Sequence, residues 1–285
     1  VKNKKGHVVV AIVLAVYLVL PLAGTFLYSI ATEWSTTILP TSWTFDWYIQ
    51  LFQDSRFLQA LGRTVLVISV AVILSIIVML LATITIVLYI PKWEGVLKTI
   101  ALLPYGVPGV ALAVGLINLY ANDVVNIAGT PWILFGIYAI VIMPFVYQGI
   151  RNSLYTIHAR DLIQAAELLG ASKIKAVMTV VLPNMKKGIF SAAFLAISML
   201  FGEFALANLL VGGRFETLQI YLYQQLSKNG HLTSAIVICY YMIIVFITLF
   251  LLYFQSPKRQ KQVASDKQDM PISTLQQTTL EGEKS

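Results

Sequence analysis

The chain has one cysteine and three histidines in 285 residues, and only 12% of its side chains are charged. Cys239 has no second cysteine to pair with, so no intramolecular disulfide braces the fold. His7, His158 and His231 fall in three separate segments, and neither an HxxxH nor a CxxC spacing occurs. The usual zinc-site patterns are therefore missing. No G-x-x-x-x-G-K-[ST] loop is present and no glycine is followed by lysine, which excludes a P-loop nucleotide site in this chain. The charged fraction is about half of the roughly 25% found in soluble domains, which argues against a water-soluble globule.

What the chain has instead is apolar bulk: 58% of it is hydrophobic, gathered in long blocks. A helix needs about 20 apolar residues to cross a bilayer. Six blocks meet that length, at 8–30, 64–90, 99–119, 132–150, 188–211 and 234–254. The fold class expected is an all-α membrane protein with six transmembrane helices. The first block follows Lys2, Lys4 and Lys5 as a signal peptide would. It is longer than a signal core and shows no convincing cleavage site, so it is expected to stay as an anchor. Lysine and arginine mark cytoplasmic loops. With residues 1–7 inside, sixteen of the 20 fall on the cytoplasmic side and four outside, at Arg56, Arg63, Arg214 and Lys228. Both termini are thus expected in the cytoplasm and the protein in the cytoplasmic (inner) membrane. The net charge of +7 then reflects topology and anionic lipid headgroups; no nucleic-acid motif accompanies it.

Four features stand out along the chain. In the outer segment 31–63, Phe45, Tyr48, Ile49 and Phe52 recur at helical spacing behind Thr44, a pattern for a short interfacial helix. It reads equally as an aromatic anchor or as a docking surface. At the start of the third span, Pro104, Tyr105 and Pro108 sit beside Gly106 and Gly109, so this helix should break or kink. The broken segment is either a wall of the translocation path or a structural kink. Glu203 is the one acidic residue placed inside a span. It must contact a cationic substrate or gate, or be satisfied by a neighbouring helix or the outer interface. Beyond residue 254 the composition turns polar, and 255–285 is expected to be a disordered cytoplasmic tail.

The long inner loop, 151–187, carries the most specific signal. Ile163, Ala166 and Leu169 give one helix an apolar stripe, Gly170 can end it in a left-handed cap, and Ser172 can cap a second helix running to Val181. A cytoplasmic helix-turn-helix results. Within it stand Gln164-Ala165-Ala166, then Gly170, then Val180-x-Leu182-Pro183. This pattern resembles the permeases of binding-protein-dependent ATP-binding-cassette importers of type I, whose loop begins Glu-Ala-Ala; here Gln164 replaces the glutamate. The resemblance covers residues 58–254 and leaves 64–254 as the permease core. It implies that Gln164, Ala165, Ala166, Gly170, Leu182 and Pro183 couple the chain to a dimer of ATPase subunits. It also implies that ATP and Mg are bound by that partner, with no cofactor on this chain and no catalysis by it. A second permease subunit, identical or paralogous, and an extracytoplasmic substrate-binding protein complete the assembly. Glu203, Pro104, Tyr105 and Pro108 become candidates for the path.

For cargo, the proline-rich third span and the stretch from Phe201 to Gly212 look most like permeases for spermidine and putrescine and their relatives for ferric iron, thiamine and phosphonates. Glu203 would suit a polycation, which favours a polyamine. An ion-coupled secondary transporter would need more charged groups in its spans than Glu203 alone. An intramembrane hydrolase would need a nucleophile and base there, and no histidine lies in a span.

Overall fold

The computed structural model describes residues 4–34, 38, 40–121 and 126–255. Among these residues all regular structure is helical, with two isolated β-bridges. Residues Val1–Ile247 form one compact unit, and the described part of the second, Thr248–Ser285, is the end of the last helix. Of the expected tail 255–285, Gln255 instead ends the last helix, and 256–285 lies outside the described residues.

Along the chain, α1 (Lys4–Ser29) is followed by α2 (Asp46–Gln53) and α3 (Ser55–Tyr89). Next come α4 (Glu94–Leu102) and α5 (Gly109–Tyr120), then α6 (Pro131–Val141) and α7 (Met143–Thr156). The short α8 (Ala159–Leu168) leads into a long α9 (Lys173–Phe201), a six-residue α10 (Ala205–Leu210), α11 (Leu218–Gln225) and α12 (Gly230–Gln255). Four of these helices are long and apolar enough to cross a bilayer, and two bent pairs bring the crossings to six if each pair is one span. The pairs are Pro91–Gly106 with Gly109–Tyr120, bent by 98°, and Pro131–Val141 with Met143–Thr156, bent by 43°.

The 98° break falls at the expected prolines: Leu103–Gly106 tightens into a 3-10 turn and Pro108 precedes the first turn of α5. The 43° bend was not expected. It lies at Pro144, whose missing N–H ends the hydrogen-bond ladder of α6 inside a continuous apolar run.

Two boundaries need correction. The second helix of the loop does not stop at Val181; it continues as the fifth span without interruption to Phe201. Pro183 removes one backbone donor, and the helix absorbs this by widening into a π turn at Val177–Val181, where the Asn184 amide donates to the Val180 carbonyl (2.8 Å). Conversely, the fifth span ends at Phe201 rather than 211, because the chain breaks at Gly202 before α10. The apolar residues resume after Glu203 and run on to Val211, so the block reads as one span.

The core is built where α3, α6, α7 and α9 meet, around Val67, Ala71, Leu134, Val146, Ile150 and Met185. A smaller cluster joins α2 to the starts of α3 and α11 through Leu51, Phe57, Ala60, Leu218 and Tyr221. In α2 the buried residue is Leu51, while Phe45, Ile49 and Phe52 of the anticipated stripe are exposed. The span of α1 is wholly unburied, and its end is tied by a Ser29–Tyr48 hydroxyl pair (2.6 Å) and by Tyr28 stacked on His231 (4.1 Å).

Candidate functional site

The loop between α7 and α9 is a short amphipathic helix seated against the bundle. Ala159 and Ile163 of α8 are buried and Ala166 packs, half-buried, on the same core, whereas Gln164 and Ala165 are exposed. Ala166 therefore faces its own bundle. Gly170 adopts φ +85° with open space around its Cβ position, so the backbone alone demands glycine there. The turn is closed by Ala171 N–H to Ala166 O (3.0 Å) and Gly170 N–H to Glu167 O (2.9 Å). Ser172 then caps α9 by accepting from Lys175 N–H (3.4 Å). At the tip, Leu168, Leu169 and Ile174 are 89%, 90% and 78% exposed. Leu182 and Pro183 lie further along, in α9 beyond the π turn, so the tip gathers Gln164, Ala165 and Gly170 but not these two.

The tip is fastened to the spans around it. Arg160 donates to the Val87 carbonyl at the end of α3 (2.7 Å). Arg151 pairs with Glu94 at the start of α4 (2.6 Å), and Tyr155 donates to the same carboxylate (2.9 Å). Just above the loop, α7 and α9 touch through small residues. A Cβ on Gly149 would stand 2.4 Å from Ala192 Cβ, and one on Gly188 only 1.5 Å from Ser153 Oγ. Close contact through small residues is a common way for helices to lock in a membrane.

Beside this clasp opens a cavity of about 650 Å³. Gln148, Asn152 and Thr156 reach it from α7 at i, i+4 and i+8; Asn184, Lys187 and Ser191 reach it from α9 at comparable spacing. Each helix thus turns a polar stripe to the same space. Tyr105, from the broken third span, lines the cavity and packs edge-on against Phe145 (5.7 Å, 86°). Irregular backbone and polar stripes at membrane depth belong beside water or protein. This site is absent from the sequence expectations, because its residues are divided between the 151–187 loop and the spans on either side. The four-residue periodicity of Gln148, Asn152 and Thr156 was the available signal.

Glu203, Pro104 and Pro108 do not line the cavity. The Glu203 carboxylate sits at the break between α9 and α10. It accepts from Tyr138 Oη (2.7 Å), Leu206 N–H (2.7 Å) and Ala207 N–H (3.1 Å). Of the two readings open at the start, satisfaction by neighbouring elements is the one observed. Among the described residues no group of three or more His, Cys, Asp or Glu is placed to hold a metal.

Residues 80–261 match the family described as binding-protein-dependent transport system inner membrane component. The chain belongs to this family. As a permease it is 24% identical over 245 residues, 86% of this chain and 90% of the relative, to a putative 2-aminoethylphosphonate transport system permease protein of Salmonella typhimurium. It is 28% identical over 169 residues to the thiamine transport system permease protein of the same organism, spanning 57% of this chain and 30% of that one. In fold, the permease is similar to a chain of the bacterial alginate ABC transporter solved in complex with an alginate pentasaccharide-bound periplasmic protein. The TM-score is 0.69 at 16% identity, over 90% of this chain and 96% of that one.

Proposed function

We propose that this permease subunit forms half of a translocation path and passes the work of a separate ATPase to it through the 157–172 loop. The observation that carries the reading is the apolar tip: Leu168, Leu169 and Ile174 are almost fully exposed on a loop that is otherwise anchored. Large apolar side chains gathered on one projecting turn mark a contact surface. Positive charge flanking the loop favours a cytoplasmic location for it and for both termini, where an ATPase with its bound ATP and Mg would dock. A second permease subunit closes the path, and an extracytoplasmic binding protein delivers the cargo; the alginate neighbour, solved with its periplasmic protein, supports that arrangement.

In this reading a movement of the tip is transmitted by three rigid links: Arg160 to α3, Arg151 and Tyr155 to α4, and the glycine clasp between α7 and α9. Alternating access then follows from rocking these spans as a body between two states. A polyamine as cargo loses its main support once Glu203 is occupied by three donors. The phosphonate relative, which aligns over 86% of this chain, favours a small phosphonate-type cargo instead.

The test is co-purification from membranes. Wild-type permease should bring down an ATP-binding-cassette ATPase, and the Leu168→Asp, Leu169→Asp double variant should insert normally but retain less than a tenth of it. An unchanged ATPase yield from the double variant would refute docking at the tip.

A further inference from the structure

We infer that the cavity between α7 and α9 is a binding station for a small oxyanionic cargo, with Lys187 as its charge and the surrounding amides and hydroxyls as its donors. The inference rests on the reading of the chain as a translocating subunit. Among the described residues lining the cavity, Lys187 is the only ionised side chain and there is no carboxylate. Gln148 and Asn152 contribute amides and Ser153 a hydroxyl that can turn a donor toward an anion, and Asn184 keeps a second N–H beyond the one given to the Val180 carbonyl, whereas the Thr156 hydroxyl donates to the Asn152 carbonyl (2.8 Å).

The chemistry selects by sign. A lysine ammonium is a compact point charge that suits a phosphoryl or similar oxyanion. A polyamine entering the same space would meet that charge with no carboxylate to offset it. The polar side chains are concentrated there: seven polar positions on two facing helices line one space, with Leu195 at its apolar end, whereas the exposed Phe190 of α9, outside the cavity, is apolar. With a volume of about 650 Å³ the cavity holds a small molecule together with water, so cargo can pass without being fully stripped of its hydration.

Lys186 provides the internal control. It is the neighbouring cation at the same depth of α9, also exposed, but it does not line the cavity. An effect of general positive charge on membrane lipids would fall on both lysines; binding in the cavity would fall on Lys187 alone.

The experiment measures thermal stabilisation of the purified permease–ATPase complex in phosphatidylcholine nanodiscs. The probes are 2-aminoethylphosphonate, inorganic phosphate and molybdate, with spermidine and thiamine as cations. At least one oxyanion should raise the Tm of wild-type complex in a saturable way, and neither cation should. Lys187→Gln should weaken that oxyanion at least tenfold, Lys187→Arg should restore most of the affinity, and Lys186→Gln should leave it unchanged. Stabilisation by a cation, or by no oxyanion, would overturn the proposal, as would equal losses in the Lys186 and Lys187 variants. So would a Lys187 effect that appears only when phosphatidylglycerol is added, which would assign the lysine to a lipid headgroup. Failure of the complex to assemble at all would instead count against the docking of an ATPase, before any probe is added.

Discussion

A carboxylate surrounded by apolar helix must find donors, and Glu203 finds three at the break after Phe201. Two are the free N–H groups at the start of α10 and the third is the hydroxyl of the buried Tyr138. Its position in the sequence marks it as the one acidic residue within an expected span. Its role was not legible, because an acidic residue that caps a hidden helix start looks the same in sequence as one that faces a path. Each donor left unsatisfied in such a place costs about 1–3 kcal/mol. Glu203→Ala should therefore lower the Tm of the detergent-solubilised complex by several degrees, with Glu203→Gln intermediate, and neither should alter which cargo is carried. A selective change in cation transport at unaltered stability would reverse this assignment.

Among the elements, the clasp of α7 on α9 and the junction of the start of α3 with α11 hold the bundle at opposite ends of α3. Gly188 admits no side chain, since its Cβ would overlap Ser153. Gly188→Ala should destabilise the complex by roughly 1–3 kcal/mol, the usual cost of overpacking, and Ser153→Gly added to it should recover most of the loss. Thermal unfolding of the three variants decides this; an innocuous Gly188→Ala would mean that the helices are not in contact there. At the other end Arg56 pairs with Glu216 (2.7 Å) and donates to Gln224 (2.7 Å), while Tyr221 Oη donates to Asp54 (2.5 Å). Burial pushes the Asp54 carboxyl up, but the hydrogen bonds from Tyr221 and from the N–H groups of Arg56 and Phe57 outweigh it, leaving the group below its ordinary value. Burial and the Asp54 contact push Tyr221 up to about 12. A carboxyl lowered on folding stabilises above its unfolded pKa, near 4, and that contribution is lost as the pH falls below it. A tyrosine raised on folding stabilises below about pH 10 and loses its contribution as the pH rises toward 12. Wild-type stability should thus decline below about pH 4, and Asp54→Asn should flatten that acid limb; identical acid limbs would contradict the linkage. The helices themselves were largely legible, since apolar blocks of bilayer length leave few alternatives. What was hidden were the joints: the bend at Pro144 lies inside a continuous apolar run, the π turn before Pro183 lies where a loop helix runs on into a span, and the break at Gly202 lies in a block apolar on both sides of Glu203.

Among the described residues, an exposed apolar tip, the contacts of Arg160, Arg151 and Gly188 and a polar cavity lie within one compact unit. The turn beside the tip was readable at Gly170, because a left-handed turn restricts the residues that can serve there, whereas the exposure of Leu168 and Ile174 was not. The cavity was not, because its residues come from two helices whose facing is settled only by packing. Everything in this arrangement depends on the tip meeting a motor on the cytoplasmic side. Site-specific cross-linking tests that contact directly, in membranes, using Leu169→Cys in a Cys239→Ser background and a benzophenone maleimide. Ile38→Cys, at the 94% exposed Ile38 of the outer segment, serves as the reference. The expected result is a covalent adduct of the residue-169 derivative with an ATP-binding-cassette ATPase, its yield changed by ATP, and no such adduct from residue 38. An adduct of residue 169 with lipid only, or labelling of residue 169 by an impermeant maleimide added outside intact cells, would contradict it.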